Sequence, residues 1–509
     1  MAPSAAGPPA KNSAKITVLG LAMLNIVAVV SLSGLPAEAE YGLSAAFYYI
    51  FAAVFFLVPV SLVAAELATA WPEKGGVFRW AGEAFGGRWG FVAIFLLIAQ
   101  VTIWFPVVLT FGAISLAYTG PQATLDQKLS GNRLYILLTV LAVYWIATAI
   151  GARGMAAFTR IAKWGGTVGT ILPAAVLVTL GFVYLSTGGQ SQIPLRWGDV
   201  VPDFSRVSNL VLAASIFLFY AGMEMNAIHV RDVRSPSRHY PLAVGIAAVG
   251  TMSILVLGTL AIAFVVPQSD IDLTQSLLIT FIDVFRWLGL SWAAPVVAVA
   301  LTIGVLAGIV TWVVGPSTAM LAVAKAGYLP PFFQATNKSG MPTHILLVQA
   351  VAVSVLAVLF VFMPSVQAAF QILSQLAGLL YLVVYLAMFA SAISLRYSQP
   401  DRRRPYRVPG GLAGMWVIGG VGFVASALAL ASSLVPPSQI GVGNPFLYIG
   451  LLVGLAGLIV AVPLVVYTRR RPHWYDPASD VAPFAWEARG ARSGAADTRG
   501  GRRTSDADE

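Results

Sequence analysis

Apolar runs long enough to cross a bilayer recur about a dozen times along this chain, and that recurrence decides its fold class before any motif is read. They lie near residues 16–37, 43–68, 88–118, 134–152, 161–186, 208–230, 241–266, 290–322, 344–363, 367–395, 413–434 and 446–468. Roughly 20 apolar residues in a helix span the hydrocarbon core, and only helices or closed barrels satisfy their own backbone at that depth. Charged residues make up 10% of the chain, against roughly 25% in a soluble domain. The expected fold class is therefore an all-α polytopic membrane protein with about 12 transmembrane helices. The third, eighth and tenth runs exceed the roughly 20 residues an upright helix needs, so they are expected to tilt or to extend into loops.

Orientation follows from the basic residues. Of the 31 lysines and arginines, only Lys128, Arg133, Arg196, Arg206 and Arg286 fall in one of the two alternating sets of loops. The other set therefore faces the cytoplasm together with both termini, and the expected location is the plasma membrane. This placement also accounts for the net charge of +10: basic side chains at helix ends meet anionic lipid headgroups, and no basic-aromatic surface calls for nucleic acid. The chain has no cysteine, which excludes disulfides, thiol catalysis and cysteine-held metals. His229, His239, His344 and His473 are scattered, and neither an HExxH nor a P-loop is present, so no enzyme, metal or cofactor is expected. A channel would carry a repeated pore motif or a charged ring. A transporter-like sensor would carry an output domain. By composition, residues 1–14 and the tail 471–509 are expected to be disordered; the first segment lacks an apolar signal core, so the first span is expected to remain as an anchor.

One ionisable residue stands deep inside a span. The sixth run contains Phe219-Tyr220-Ala221-Gly222-Met223-Glu224-Met225-Asn226, and an intramembrane carboxylate faces a pathway or pairs with a neighbouring helix. Glu224 is the candidate for proton sensing or gating. The first run degenerates into Ser31-Leu32-Ser33-Gly34-Leu35-Pro36. Alone this is an ordinary helix end. Paired with the glycine interruption in the sixth run, it matches the broken helices that expose free backbone groups to a substrate at mid-membrane. The candidate binding residues are Ser31, Ser33 and Gly34 in the first run and Tyr220, Ala221 and Gly222 in the sixth. Gln100, Thr102 and Trp104 in the third run are expected to point inward, Trp104 as packing bulk. Gly165 and Gly169 allow close helix approach, and Gly450 and Gly454 offer a spacing that supports a homodimer.

Several ordered motifs carry a family resemblance. Ala64-Ala65-Glu66-Leu67-Ala68 followed by Pro72-Glu73-Lys74-Gly75-Gly76, then Ala84-Phe85-Gly86 and Trp89-Gly90, resembles the end of the second span in permeases of the amino acid/polyamine/organocation superfamily. Ala221-Gly222-Met223-Glu224 and the turn Ser235-Pro236-Ser237-Arg238 resemble that superfamily's sixth span and the turn after it. Trp312-Val313-Val314-Gly315-Pro316-Ser317 resembles the glutamate/gamma-aminobutyrate antiporter branch, which carries a tyrosine pair spaced like Tyr381 and Tyr385 along its substrate path. Two tyrosines at this spacing share a helix face whatever their role. Where that branch has a glutamate in span eight, this chain aligns Gly308, so glutamate is not assigned as substrate.

The resemblance covers roughly residues 15–470 and implies a LeuT-like inverted repeat of five plus five helices with helices one and six broken. Repeat one would run about 15–188, repeat two about 205–397, with peripheral helices about 411–469. It further implies a secondary active amino acid transporter, working as an antiporter by alternating access. A proton-coupled uptake permease for an amino acid or polyamine is the alternative. Tyr381 and Tyr385 would cap the site. Lys163 would be a membrane-end lysine or occupy a cation's place, and the tail aromatics His473, Trp474, Tyr475 and Trp486 would anchor at the lipid interface or dock in a mouth of the transporter.

Overall fold

A computed structural model describes residues 16–73, 75–120, 123–154, 164–202, 216–224, 233, 235–363, 365–435 and 445–487. Residues 1–15, Lys163, Asn226, Arg231, Arg234, most of the sixth run and the tail beyond 487 lie outside the described residues. Helices account for the regular structure of this part. In chain order they are α1 (Val18–Val29), α2 (Leu35–Ala39), α3 (Ser44–Ala52), α4 (Val58–Ala70), α5 (Val77–Phe85), α6 (Gly87–Ala117), α7 (Ala123–Ser130) and α8 (Arg133–Ala152). They continue as α9 (Leu172–Ser186), α10 (Pro236–Val265), α11 (Ser276–Trp287), α12 (Ala293–Lys325), α13 (Thr343–Phe362), α14 (Val366–Ser398), α15 (Gly411–Ser432) and α16 (Pro445–Thr468).

Among the described residues, 11 helical spans are long and apolar enough to cross a membrane. The chain is a polytopic all-α membrane protein. The remaining expected span is the sixth, described only at 216–224. The three overlong runs are α6 at 31 residues and α12 and α14 at 33 each. α6 and α14 are packed together and buried along most of their length. Two spans contain a wider π-helical turn, Ala53–Leu57 between α3 and α4 and Thr167–Ile171 before α9.

Small residues let two elements touch at backbone distance. A Cβ on Gly169 would stand 2.1 Å from Gly304 Cα, and one on Gly165 would stand 2.4 Å from Ala307 Cβ, so the expected close approach is made onto α12. Gly450 and Gly454 lie on the exposed face of α16.

One expectation about one end of the bundle is corrected. α5 at this end is buried: Phe78, Arg79 and Trp80 are each at most 3% exposed. The tail was expected to be without structure from residue 471, yet residues 472–487 strap across this same end. Tyr475 bridges to Ala326, and the Arg79 guanidinium donates to the carbonyls of Ala482 and Pro483 at 2.6 and 3.0 Å. Phe484 fills the space left by the missing side chain of Gly82, and Trp486 Nε1 donates to the Gly82 carbonyl at 3.0 Å. Trp474 and Tyr475 likewise bind protein, through Gln334 and Ala326. A few anchoring contacts outweigh an average composition that reads as unfolded.

Candidate functional site

The first span breaks where its residues stop favouring helix. α1 ends at Val29, and Val30 and Ser31 are extended, with ψ of 113° and 112°. The chain resumes as a 3-10 turn, Leu32–Gly34, that leads into α2. Pro36 lacks an N–H, and its ring opposes the carbonyl four residues back, so an uninterrupted helix through Leu32 is disfavoured. Ser31 Oγ and Ser33 Oγ bond each other at 2.8 Å, a local alternative to helical bonding. Among the described residues, the amides of Ser31, Leu32 and Ser33 donate no backbone hydrogen bond.

The second break lies at Tyr220–Gly222. Residues 216–219 are helical, the amides of Tyr220 and Ala221 reach back only three residues, and Gly222 takes a φ of +111°. That backbone conformation favours glycine. A 3-10 turn at 223–224 follows and carries Glu224.

The two breaks meet. A Cβ on Gly34 would lie 2.0 Å from the Phe219 ring, so the ring packs directly over the first break. Gly222 in turn stands against Val29 and the Ala28 carbonyl. α14 closes the assembly from the side. The Tyr381 hydroxyl donates to Glu224 Oε1 at 2.5 Å, and the Tyr385 hydroxyl donates to Oε2 at 2.6 Å while accepting from the Gly222 amide at 2.7 Å. The rings stack with centroids 4.8 Å apart. Glu224 is 3% exposed; two hydroxyl donors satisfy its oxygens, as a buried carboxylate requires.

Beside this junction lies a cavity of about 210 Å³. Ser31, Ser33, Gly34, Ala221 and Tyr381 line it. Tyr220, Gly222, Tyr385 and Glu224 stand outside the lining and hold the backbone that forms it; the Tyr220 hydroxyl donates to the Tyr49 carbonyl at 3.2 Å. Gln100 faces the cavity as expected, whereas Thr102 bonds Gln349 of α13 at 3.1 Å. Trp104, expected as packing bulk, forms cavity wall in ring contact with Trp312. Gly308 also lines the wall, with open space where a side chain would begin.

Several lining residues had not been singled out from the chain. Glu38 follows Pro36 by two positions and is fully buried at the cavity wall. Gln371, Ser374 and Gln375 lie about two to three turns before Tyr381 on one α14 face. Their spacing was visible, but nothing in it told which face of a long apolar helix meets a cavity.

The cavity runs along α14 from Phe370 to Tyr381. At the other end of that helix, about 22 Å further at a rise of 1.5 Å per residue, α14 is clasped to α4. Arg396 meets Glu66 at 2.6 Å, Arg404 meets it at 3.3 Å, and the Val408 amide donates to it at 2.7 Å. Arg402 bonds the Ala70 carbonyl and Glu73, and the Tyr406 amide reaches Thr69 Oγ1 at 3.4 Å. Burial pulls the Arg404 guanidinium below the usual arginine range, and the Glu66 carboxylate opposes that effect. One turn of α4 thus receives α14 and the loop after it.

Comparison with known proteins agrees with this architecture. A family model described as amino acid permease matches residues 16–457. An uncharacterised transporter of Legionella pneumophila is 39% identical over 450 residues, covering 88% of this chain and 95% of that protein. A glutamate/gamma-aminobutyrate antiporter of Lactococcus lactis is 31% identical over 480 residues, covering 93% and 94%. A probable agmatine/putrescine antiporter of the same species is 24% identical over 394 residues, covering 76% and 81%.

Proposed function

The chain belongs to the amino acid permease family, and from that membership we propose that it is a secondary transporter that exchanges amino acids across the membrane by alternating access. The observation that carries this reading is the cavity bounded on two sides by the broken backbones at Ser31–Gly34 and Tyr220–Gly222. A small zwitterion has both of its charged groups within reach of such ends: unbonded amides at Ser31 to Ser33 for the carboxylate, and end-of-helix carbonyls for the amino group.

Both termini face the cytoplasm in this reading, at the plasma membrane, because of the uneven distribution of lysine and arginine. The tenth span then enters from outside, so the cavity opens outward and the Glu66 clasp closes the cytoplasmic end. Exchange requires the group of helices one, two, six and seven to rock against the rest, in a five-plus-five inverted repeat. Glu224 couples the sixth helix to the tenth through Tyr381 and Tyr385, and a proton taken up there would weaken that coupling.

Counterflow in proteoliposomes tests the proposal. Labelled amino acid should enter only vesicles preloaded with an amino acid or amine. Uptake into empty vesicles driven by an inward proton gradient would favour the proton-coupled permease instead. No flux of any amino acid or amine under either condition would refute transport.

A further inference from the structure

Three buried glutamines surround the cavity. Gln100, Gln371 and Gln375 are 4%, 7% and 5% exposed and all line it. Among the described residues, none of their carboxamides makes a hydrogen bond to protein. Other buried amides among the described residues are satisfied. Gln349 donates to Thr102 at 3.1 Å and accepts from Ser317 at 3.3 Å, and Gln399 donates to Glu83 at 2.7 Å. Three carboxamides that line one space, without a protein partner among the described residues, have their hydrogen bonds free for its occupant.

The chemistry of that occupant follows from the lining. Each carboxamide offers two N–H donors and a carbonyl acceptor, so the cluster is neutral and presents both kinds of group. Among the described residues, no Lys, Arg or His lines the cavity, and the one carboxylate that does is Glu38. A second carboxylate on the substrate would be buried there without a cation and beside a like charge. A basic side chain could use the amide oxygens but brings no acceptor of its own to the amide N–H groups. A carboxamide side chain brings both an acceptor for those N–H groups and two donors for the amide oxygens. The volume of about 210 Å³ suits one small solute rather than an extended amine.

We propose that the amide cluster Gln100, Gln371 and Gln375 reads the far end of the substrate, and that the preferred substrates are neutral amino acids with a carboxamide side chain. This rests on the transport reading above. α14 then has two roles. Gln371 and Gln375 recognise the side chain, while Tyr381 and Tyr385, about two to four turns on, hold Glu224.

The test is competition for counterflow, with thermal shift on the purified full-length chain, using L-glutamine, L-asparagine, L-alanine, L-glutamate, L-arginine and putrescine. The carboxamide amino acids should bind about tenfold or more tightly than glutamate, arginine or putrescine, the factor set by one unsatisfied buried group. Gln371→Leu with Gln375→Leu should remove the preference for glutamine over alanine, read as the ratio of the two in competition. Gln375→Glu should turn the preference toward arginine, a gain that misfolding cannot produce. If glutamate, arginine or putrescine competes as well as glutamine in the wild type, or if both variants keep the wild-type order, the assignment of substrate class is overturned and exchange itself stands. If no compound binds or exchanges, the transport reading falls and this assignment falls with it.

Discussion

The Tyr385 hydroxyl lies 2.6 Å from the Glu224 carboxylate and 2.7 Å from the Gly222 amide, so one side chain of α14 holds both the acid and the glycine turn of the sixth helix. Tyr381 reaches only the carboxylate. Removing the two hydroxyls should therefore have unequal effects. Tyr385→Phe leaves the Gly222 N–H buried and unpaired, a cost of about 1–3 kcal/mol, and should lower the thermal midpoint more than Tyr381→Phe. Equal midpoints would mean that the Gly222 amide has another acceptor.

Glu224 itself is the group through which protons would act. Glu224→Gln keeps the shape and one acceptor but cannot ionise, so exchange should lose most of its dependence on pH while the protein still inserts. Glu224→Asp, which keeps the charge and shortens the reach to both tyrosines, should retain the pH dependence at a lower rate. Proteoliposome exchange measured across pH separates these outcomes, and a Glu224→Gln profile that matches wild type would remove Glu224 from coupling.

The contact between Gly34 and Phe219 makes a sharper genetic prediction. A methyl at residue 34 would lie 2.0 Å from the Phe219 ring, so Gly34→Ala should force the breaks apart and reduce exchange strongly. Gly34→Ala with Phe219→Ala removes the collision and should recover part of the activity. A double variant no better than Gly34→Ala would show that the first break tolerates no side chain for reasons of its own.

How much of this could be read from the chain varies with the range of the physics. The breaks were legible because Gly34, Pro36 and Gly222 act on their own backbone, within a turn. The pairing of Tyr381 and Tyr385 with Glu224 rested on a resemblance, since spacing alone places two rings on a face without saying what the face meets. Gln371 and Gln375 escaped notice for that same reason. Glu38 was hidden by its short, irregular surroundings between Pro36 and Gly42. The strap at 472–487 was misjudged because Phe484 and the carbonyls of Ala482 and Pro483 become anchors only when Gly82 and Arg79 of α5 are brought beneath them.

At the far end of α14, Glu66 serves two arginines and a backbone amide. Glu66→Gln leaves those buried cations short of a counter-charge and should destabilise the protein by about 3–5 kcal/mol. If α4 must also leave α14 during transport, covalent closure should stop it. The chain has no native cysteine, so Thr69→Cys with Tyr406→Cys introduces the only thiols. Oxidation of this pair should halt exchange, and reduction should restore it. Undiminished exchange in fully cross-linked protein would make the clasp purely structural.

The most direct measurement is substrate protection at the first break. Ser31→Cys places a single thiol in the cavity wall of a cysteine-free chain, and its rate of modification by a membrane-impermeant maleimide can be followed with and without transported amino acid. Exchanged amino acids should slow the labelling, in the order of their affinities, while compounds that are not exchanged leave it unchanged. Labelling at one rate whatever solute is present would contradict a binding site between the two broken helices.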